Sequence, residues 1–339
     1  MAILSSESVF GLVAAIGVAI IISNVIWNIF FHPLRHFPGP LIWRATVLGR
    51  GFRLISGRLH HDLIDLHQEY GKFVRIGPSE LSIHDTQAWK DVYGHQKSNS
   101  GPKELPRFKD WYNVVGSATP TIVTADFDKF LMLKNAIAPA FSERNLQATE
   151  SIIQEQLDLL LRQLKENSEN GSKAVDIYSW LNYFSFDLTG SLSFGSTFGC
   201  LQNSQYHPWV ESVSTHVREV SFLQLLAFLN LSWVPGMIFR NAFFKGLVVN
   251  ERWTREKIKE RLLRESDTLD FFDGLLNLQD KISFDEILYN GAVMIIAGSD
   301  TIATLLTGTI YLLLSNSLAL EKLKSEVRSS FTTEAEITA

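Results

Sequence analysis

An acid and an alcohol, Asp300 and Thr301, are the neighbouring side chains in this sequence whose types and setting best suit chemistry. They lie inside an almost wholly apolar stretch, GAVMIIAGSDTIATLLTGTIYLLL, which runs from 291 to 314 and has no other charge. Burial in an apolar setting raises the pKa of a carboxyl group and keeps bulk water away. An acid beside a hydroxyl can then pass protons to a bound molecule. The pair therefore predicts a proton relay.

The element that must position this pair is a long helix with one smooth face. Ser283 and Glu286 have the S-x-x-E spacing of a capping box, which predicts that the helix begins near Phe284. Small residues then recur at helical spacing on one side. A flat cofactor could lie against this stripe, which consists of Ala297, Thr301, Thr304 and Gly308.

The turn from Ala297 to Thr301 also has two features that weaken a helical backbone. The Thr301 hydroxyl can bond the carbonyl of Ala297, and Gly298 lowers the helix propensity of the same turn. Together they predict a local bulge at which water or a small molecule could sit. Two other interpretations remain open for the helix. It is an ordinary buried helix with Asp300 paired elsewhere, or a membrane span, although an acid at the bilayer centre costs about 2.5–3.5 kcal/mol.

The residues A-G-S-D-T, from 297 to 301, resemble the [AG]-G-x-[DE]-T signature of cytochromes P-450, the haem-thiolate monooxygenases. The resemblance implies that the central helix crosses one face of a haem b. It implies that Asp300 and Thr301 deliver protons for dioxygen activation. It also implies that Ala297, Thr301 and Thr304 contact the cofactor or the substrate.

Other blocks resemble the same family in matching order. The proline-rich HPLRHFPGP at 32–40 resembles the hinge of membrane-bound members, and residues 70–82 resemble the YGxxVRIGPxELS of the first sheet. Residues 175–195 resemble the fungal members of secondary metabolism. A loop at 98–124 corresponds to a substrate-recognition region. The resemblance spans almost the whole chain and implies a mainly α fold with a small β-sheet.

One helix, predicted from 126 to 140, departs from the family pattern. Many members have an aromatic residue or histidine there and, four residues on, an arginine, and both reach the haem propionates. This sequence has Phe130 and Lys134. Lys134 can pair with a propionate as a point charge, whereas Phe130 has no hydrogen-bond donor. The alternative for Lys134 is an ordinary surface lysine.

The single cysteine, Cys200, rules out an internal disulfide framework and does not match the family's iron ligand. The thiolate loop of the family has the form F-x-x-G-x-x-x-C-x-G, but the corresponding positions here are Ser193, Ser196 and Gln202. The E-x-x-R helix and the thiolate loop of the family are not found after the central helix. Because a thiolate ligand supports O–O cleavage, we expect a C-terminally truncated domain without activity of its own.

The N-terminal stretch from 8 to 31 is free of charge and long enough to cross a hydrocarbon core of about 30 Å. Trp27, Phe30 and Phe31 suit an interfacial belt. A signal peptide is the alternative, but it would need a basic start. We expect a single-pass anchor in the endoplasmic reticulum membrane. The positive-inside rule predicts that its body faces the cytosol, because arginines follow the stretch: Arg35, Arg44, Arg50, Arg53 and Arg58.

The chain of 339 residues thus divides into a transmembrane anchor (8–31), a proline-rich hinge (32–40) and an incomplete catalytic domain (41–339). A net charge of −5 gives no indication of nucleic-acid binding. The resemblance implies a monooxygenase that hydroxylates or epoxidises an apolar small molecule, using dioxygen and electrons from an NADPH-cytochrome reductase. The alternatives are a non-catalytic, membrane-anchored helical fragment that binds lipids or a partner, and a multi-span membrane protein.

Overall fold

The computed structural model describes residues 6–94, 105–112, 119–231, 245–263, 270–333 and 336–337. This part of the chain is mainly helical with one two-stranded sheet, so the predicted fold class is confirmed. The chain separates into two compact units. The first comprises 1–116 with 218–240, and the second comprises 117–217 with 241–339.

The first unit begins with an apolar helix, α1 (Ser6–Ile26), which continues as a π-helical turn, Trp27–Phe31. The stretch Gly11–Phe31 is long and apolar enough to cross a membrane, and none of it is buried. One other helix in the described part of the chain, Phe284–Ser315, meets the same criteria of length and composition. The predicted anchor at 8–31 therefore has the geometry that such a role requires.

The predicted hinge at 32–40, which follows α1, contains a 3-10 turn at Pro33–His36 despite its prolines. Proline is tolerated in a first turn, where its fixed φ fits and its missing N–H has no partner to lose. The remaining elements of the unit are α2 (Leu41–Ala45), α3 (Leu48–Ile55), α4 (Leu59–Tyr70), β1 (Phe73–Gly77), β2 (Glu80–Ile83), α5 (Thr86–Tyr93) and α6 (Lys109–Tyr112).

The two strands form the predicted hairpin. They are antiparallel, with Phe73 opposite Ile83 and Arg75 opposite Leu81, and the register shifts between Arg75 and Gly77. Every residue of β1 after Phe73 is buried, whereas β2 is partly exposed. The hairpin therefore uses β1 as its inner strand.

The second unit contains most of the remaining helices. They are α7 (Phe127–Ile137), a 3-10 turn (Ala138–Phe141), α8 (Glu143–Asn167), α9 (Ile177–Phe194), α10 (Cys200–Asn203), α12 (Lys245–Leu262), α13 (Asp273–Leu276), α14 (Phe284–Ser315) and α15 (Ser317–Ser330). Helix α11 (Pro208–Phe228) has residues in both units.

Helix α9 forms the centre of the second unit and is buried along almost its whole length. It contacts α8 and packs along α14. The close approach depends on small residues, because a Cβ added at Gly298 of α14 would lie 2.9 Å from Cγ2 of Thr189. At its end, Gly195 has a φ of +66°, a left-handed conformation that glycine adopts at little cost.

Candidate active site

Helix α14 begins where its sequence predicts. The Ser283 hydroxyl accepts a hydrogen bond from the Glu286 amide at 3.2 Å, and the Glu286 carboxylate accepts one from the Ser283 amide at 2.8 Å. This reciprocal capping box satisfies two of the amide groups that a helix N-terminus leaves unpaired. From Phe284 the helix is uninterrupted to Ser315.

The two sides of α14 have different surroundings. One side is buried in the core of the second unit and includes Leu288, Ile295, Ser299 and Ala303. The opposite side is exposed and brings the predicted site residues together, namely Ala297, Asp300, Thr301 and Thr304. Beyond them, an alanine Cβ at Gly308 would have no atom within 4 Å. We call this exposed side the open face of α14.

The open face corrects one expectation from the sequence. The side chains of Asp300 and Thr301 were expected to be buried, but both are exposed. The reason is that the contacts of α14 with α9 cover the side that carries Ile295 and Ser299. Composition alone shows that the helix is apolar all round, but it does not show which side the protein's own side chains cover.

The predicted hydrogen bond of Thr301 is present, but the predicted bulge is not. The Thr301 hydroxyl donates to the Ala297 carbonyl at 2.6 Å, within regular α-helix. A carbonyl oxygen has two lone pairs, so it can accept a hydroxyl without losing its backbone bond. Gly298 does not loosen the turn, because Thr189 of α9 packs against it.

The small side chains of the stripe leave the backbone of α14 accessible to a flat group. No side chain in its stripe is larger than threonine, so a ring could approach the helix closely. Leu305 and Leu312 flank the stripe and are 67% and 66% exposed. Exposed leucines of this size beside a smooth stripe are typical of a surface that a ligand or another segment covers.

Helix α7 is joined to the start of α14 by an ion pair between Lys129 and Glu286. Burial raises the pKa of Glu286, but hydrogen bonds from Lys129 and Ser283 outweigh it, and the pKa is lowered. Lys134 is exposed and its ammonium lies 5.9 Å from the centre of the Phe130 ring. Lys134 is about one and a half turns beyond Lys129. In the described chain, Lys129 rather than Lys134 makes the ion pair with α14.

The sequence did not indicate the role of Asn290, which is fully buried in α14. Its carbonyl oxygen accepts the Ile122 amide at 2.8 Å, and its amide nitrogen donates to the Glu286 carbonyl at 2.7 Å. These bonds fasten the end of the predicted recognition loop to the central helix. Of that loop, residues 98–104 and 113–118 lie outside the described chain. The sequence signal that could have indicated the role of Asn290 was its amide side chain in an otherwise apolar turn.

Cys200 is buried at the start of α10, and its backbone amide donates to the Asp187 carboxylate at 3.1 Å. Burial, and then the charge of Asp187, raise the pKa of the Cys200 thiol to about 12. The thiol is therefore protonated at neutral pH, which disfavours binding to iron. Within the described residues, no cluster of three or more histidine, cysteine, aspartate or glutamate side chains could hold a metal ion.

Comparison with known proteins connects the chain to fungal oxidoreductases. Cytochrome P450 monooxygenase ATR14 of Stachybotrys chlorohalonatus is 37% identical over 93% of this chain and 73% of its own length. Averantin hydroxylase of Dothistroma septosporum is 35% identical, over 96% and 61%. Trichothecene C-15 hydroxylase of Fusarium sporotrichioides is 34% identical, over 93% and 64%. The chain therefore spans only part of the length of these relatives.

The family model for Cytochrome P450 matches residues 36–339, which comprise the second unit, the first unit except for its first 35 residues, and the whole of α14. Together with the relatives above, this match agrees with the family resemblance of the motif at 297–301. The chain belongs to the cytochrome P450 family.

Proposed function

We propose that the chain provides the anchor, the recognition region and the oxygen-activating helix of a membrane-bound monooxygenase of secondary metabolism. The substrate would be an apolar small molecule that is hydroxylated or epoxidised. The observation that carries this proposal is the open face of α14, with Asp300 and Thr301 in its middle. Two of the relatives are named hydroxylases, which supports the class of reaction.

The residues of the open face suit a haem b laid along the helix. Ala297, Thr301 and Thr304 would contact the ring, and Lys134 would pair with a propionate as a point charge. When bound, the haem supplies an iron that activates dioxygen with electrons from an NADPH-cytochrome reductase. A ring on this face would also remove Asp300 from water, which is the condition that the proton relay needs.

The hydroxyl of Thr301 has a defined starting position for this task. It donates a hydrogen bond to the Ala297 carbonyl, so its oxygen lone pairs can accept a hydrogen bond from a donor such as water. To donate toward the open face, the hydroxyl must rotate away from Ala297. Thr301 would thus hold a water molecule and then release a proton, and Asp300 would replace the proton that Thr301 gives up.

The chain itself offers a control for this role. Thr309 is also exposed on α14 and makes the same bond, to the Leu305 carbonyl at 2.8 Å. In a haem-containing, catalytically complete protein that includes this chain, we expect Thr301→Ala to keep consuming NADPH but to form severalfold less product per NADPH. Thr309→Ala should change helix stability equally and leave this ratio intact. An unchanged ratio in Thr301→Ala would remove Thr301 from the mechanism.

The thiolate that the haem iron requires would come from a residue other than Cys200, because that thiol is buried and protonated. We therefore propose that these 339 residues alone do not turn over substrate. The test is the spectrum of the reduced, CO-treated chain, in which the Soret band of a thiolate-bound haem should be absent. Its presence would refute this proposal. Sequencing the transcript for an E-x-x-R helix and a cysteine loop would identify the source of the thiolate.

A non-catalytic role is the second candidate, and the buried state of Cys200 favours it. The chain would then be a membrane-anchored helical protein that binds lipids or a partner. In both cases we propose a single-pass anchor at 8–31, a hinge at 32–40 and a body at 41–339 that faces the cytosol from the endoplasmic reticulum. Alkaline extraction should leave the chain in the membrane pellet, and protease added outside microsomes should digest the body.

A further inference from the structure

Three basic side chains lie in one region immediately after the apolar N-terminal helix, where α2 packs against β1 and the His32 ring reaches the Ser79 hydroxyl of the β1–β2 turn. They are His32, at the start of the hinge, Arg44 of α2 and Arg75 of β1. Burial, and then the charge of Arg44, lower the pKa of Arg75. Burial, and then the charge of Arg75, lower the pKa of His32. We call these three residues the junction cluster.

The guanidinium groups of this cluster have buried N–H groups without acceptors. Arg75 is fully buried, and its Nε and Nη2 donate to the Pro78 carbonyl at 3.1 and 2.6 Å. Its Nη1 is buried and has no hydrogen-bond partner. Arg44 donates from Nη2 to the Arg35 carbonyl at 3.1 Å, while its Nε is likewise buried without a partner. Two strong donors are therefore unsatisfied within the same cluster.

The part of the chain that the structure describes gives this cluster no counter-charge. Elsewhere in the first unit, Arg50 pairs with Glu80 at 3.0 Å and Arg53 pairs with Asp62. Within the described residues, no carboxylate lies within ion-pair distance of Arg75. A guanidinium cannot lose its proton at physiological pH, and a buried charge without a partner is strongly destabilising. An anion that fits between these side chains would remove that penalty.

The position of the cluster indicates which anions can reach it. His32 follows Phe31, where the apolar stretch Gly11–Phe31 ends. The Asn28 side chain donates to the Ala45 carbonyl at 2.9 Å, which fastens α2 to the end of that stretch. On the same short helix, Ile42 is 67% exposed. An apolar surface beside arginines is suited to the boundary between lipid headgroups and acyl chains.

We propose that Arg44 and Arg75, together with His32, bind one phosphate group at the junction between the apolar helix and the body. The planar guanidinium fork matches the oxygens of a phosphate. Nδ1 of His32 accepts the Leu34 amide at 3.1 Å, so the proton of the neutral ring is on Nε2, which lies 3.5 Å from the Ser79 hydroxyl. A phosphate oxygen would take the place of this long contact. The phosphate belongs either to an acidic lipid headgroup or to a free phosphate ion. The lipid headgroup as the source of the phosphate depends on the proposed membrane anchor, whereas the missing counter-charge is independent of that proposal.

The test uses the full chain in neutral detergent micelles, with thermal unfolding as the readout. Inorganic phosphate and dihexanoyl phosphatidic acid are titrated separately, with sodium chloride at equal ionic strength as the reference. We expect a saturable rise in the unfolding midpoint that sodium chloride does not reproduce, because a ligand of the folded state stabilises it. Arg44→Gln should weaken the apparent affinity at least about tenfold, since it removes a charge-assisted hydrogen bond.

The matched control is Arg58→Gln, which removes the same charge from an exposed arginine. It should leave the affinity unchanged. Arg75→Met should abolish the saturable rise, whichever way it moves the stability of the free chain. A rise with both probes identifies a site for free phosphate, and a rise with phosphatidic acid alone identifies a lipid headgroup site. No saturable rise, or equal affinities for Arg44→Gln and Arg58→Gln, would overturn the proposal. Alkaline extraction tests the anchor separately.

Discussion

Replacement of Gly291 by alanine should destabilise the chain, although alanine is the better helix former. Gly291 lies on the buried side of α14, and an added Cβ would be 2.3 Å from Cζ and 2.9 Å from Cε2 of Phe272. The Phe272 ring is fully buried, and the Phe194 ring lies 4.8 Å from it, centre to centre. The ring therefore has no free space into which it can move away from the new methyl group.

The magnitude follows from two opposing contributions. Overpacking of a core costs about 1–3 kcal/mol, and a contact of 2.3 Å with a confined ring belongs at the upper end of that range. The gain from replacing glycine by alanine inside a helix is about 0.5–1 kcal/mol. The free energy of unfolding should therefore fall by about 2 kcal/mol in Gly291→Ala.

Gly308 of the same helix is the matched control. Its added Cβ would meet nothing within 4 Å, so Gly308→Ala should raise the free energy of unfolding by about 0.5–1 kcal/mol. Urea unfolding followed by circular dichroism, in one neutral detergent for all variants, measures both changes. If Gly291→Ala is as stable as the wild type, or if both variants shift in the same direction, the packing of Phe272 against α14 is wrong.

Two further predictions concern the start of α14. Glu286→Gln should lower stability by about 1–2 kcal/mol at neutral pH, because Lys129 loses an ionised partner. The folded-state pKa of Glu286 is lowered from 4.5, so the stability difference should persist above pH 4.5 and vanish as the pH falls through the lowered pKa. Urea unfolding at a series of pH values measures this difference. A difference that does not change with pH would contradict the prediction. Asn290→Leu should speed hydrogen exchange at the Ile122 amide, measured by mass spectrometry, whereas Asn290→Asp keeps an acceptor and should leave that amide protected. Equal exchange in wild type and Asn290→Leu would show that this bond does not hold the loop.

The features that the sequence predicts well are those that depend on near neighbours. Ser283 and Glu286 cap α14 because both partners of each hydrogen bond lie within one turn. The bond from Thr301 to Ala297 is equally local, since a threonine in a helix reaches the carbonyl four residues back. The stripe of small residues needs only helical periodicity.

The features that the sequence does not predict depend on distant partners. Asn290 binds the Ile122 amide across 168 positions, and nothing in the composition of either segment identifies the other. For Gly298, the low helix propensity follows correctly from the sequence, but its structural consequence differs from the predicted one. Its low helix propensity suggests a weak turn, but the missing side chain is what admits Thr189 of α9. The structure therefore assigns this glycine to helix packing.

Thr301 and Ser299 of the motif have the same local hydrogen bond but different surroundings. Both hydroxyls donate to the carbonyl four residues earlier at 2.6 Å, so their local hydrogen bonds are alike. Ser299 is fully buried against the core, whereas Thr301 is exposed on the open face. Only Thr301 can exchange that bond for one to a bound molecule. The proton transfer proposed for Thr301 therefore depends on the exposed side of α14, and a flat group bound there would complete the apolar setting proposed for Asp300.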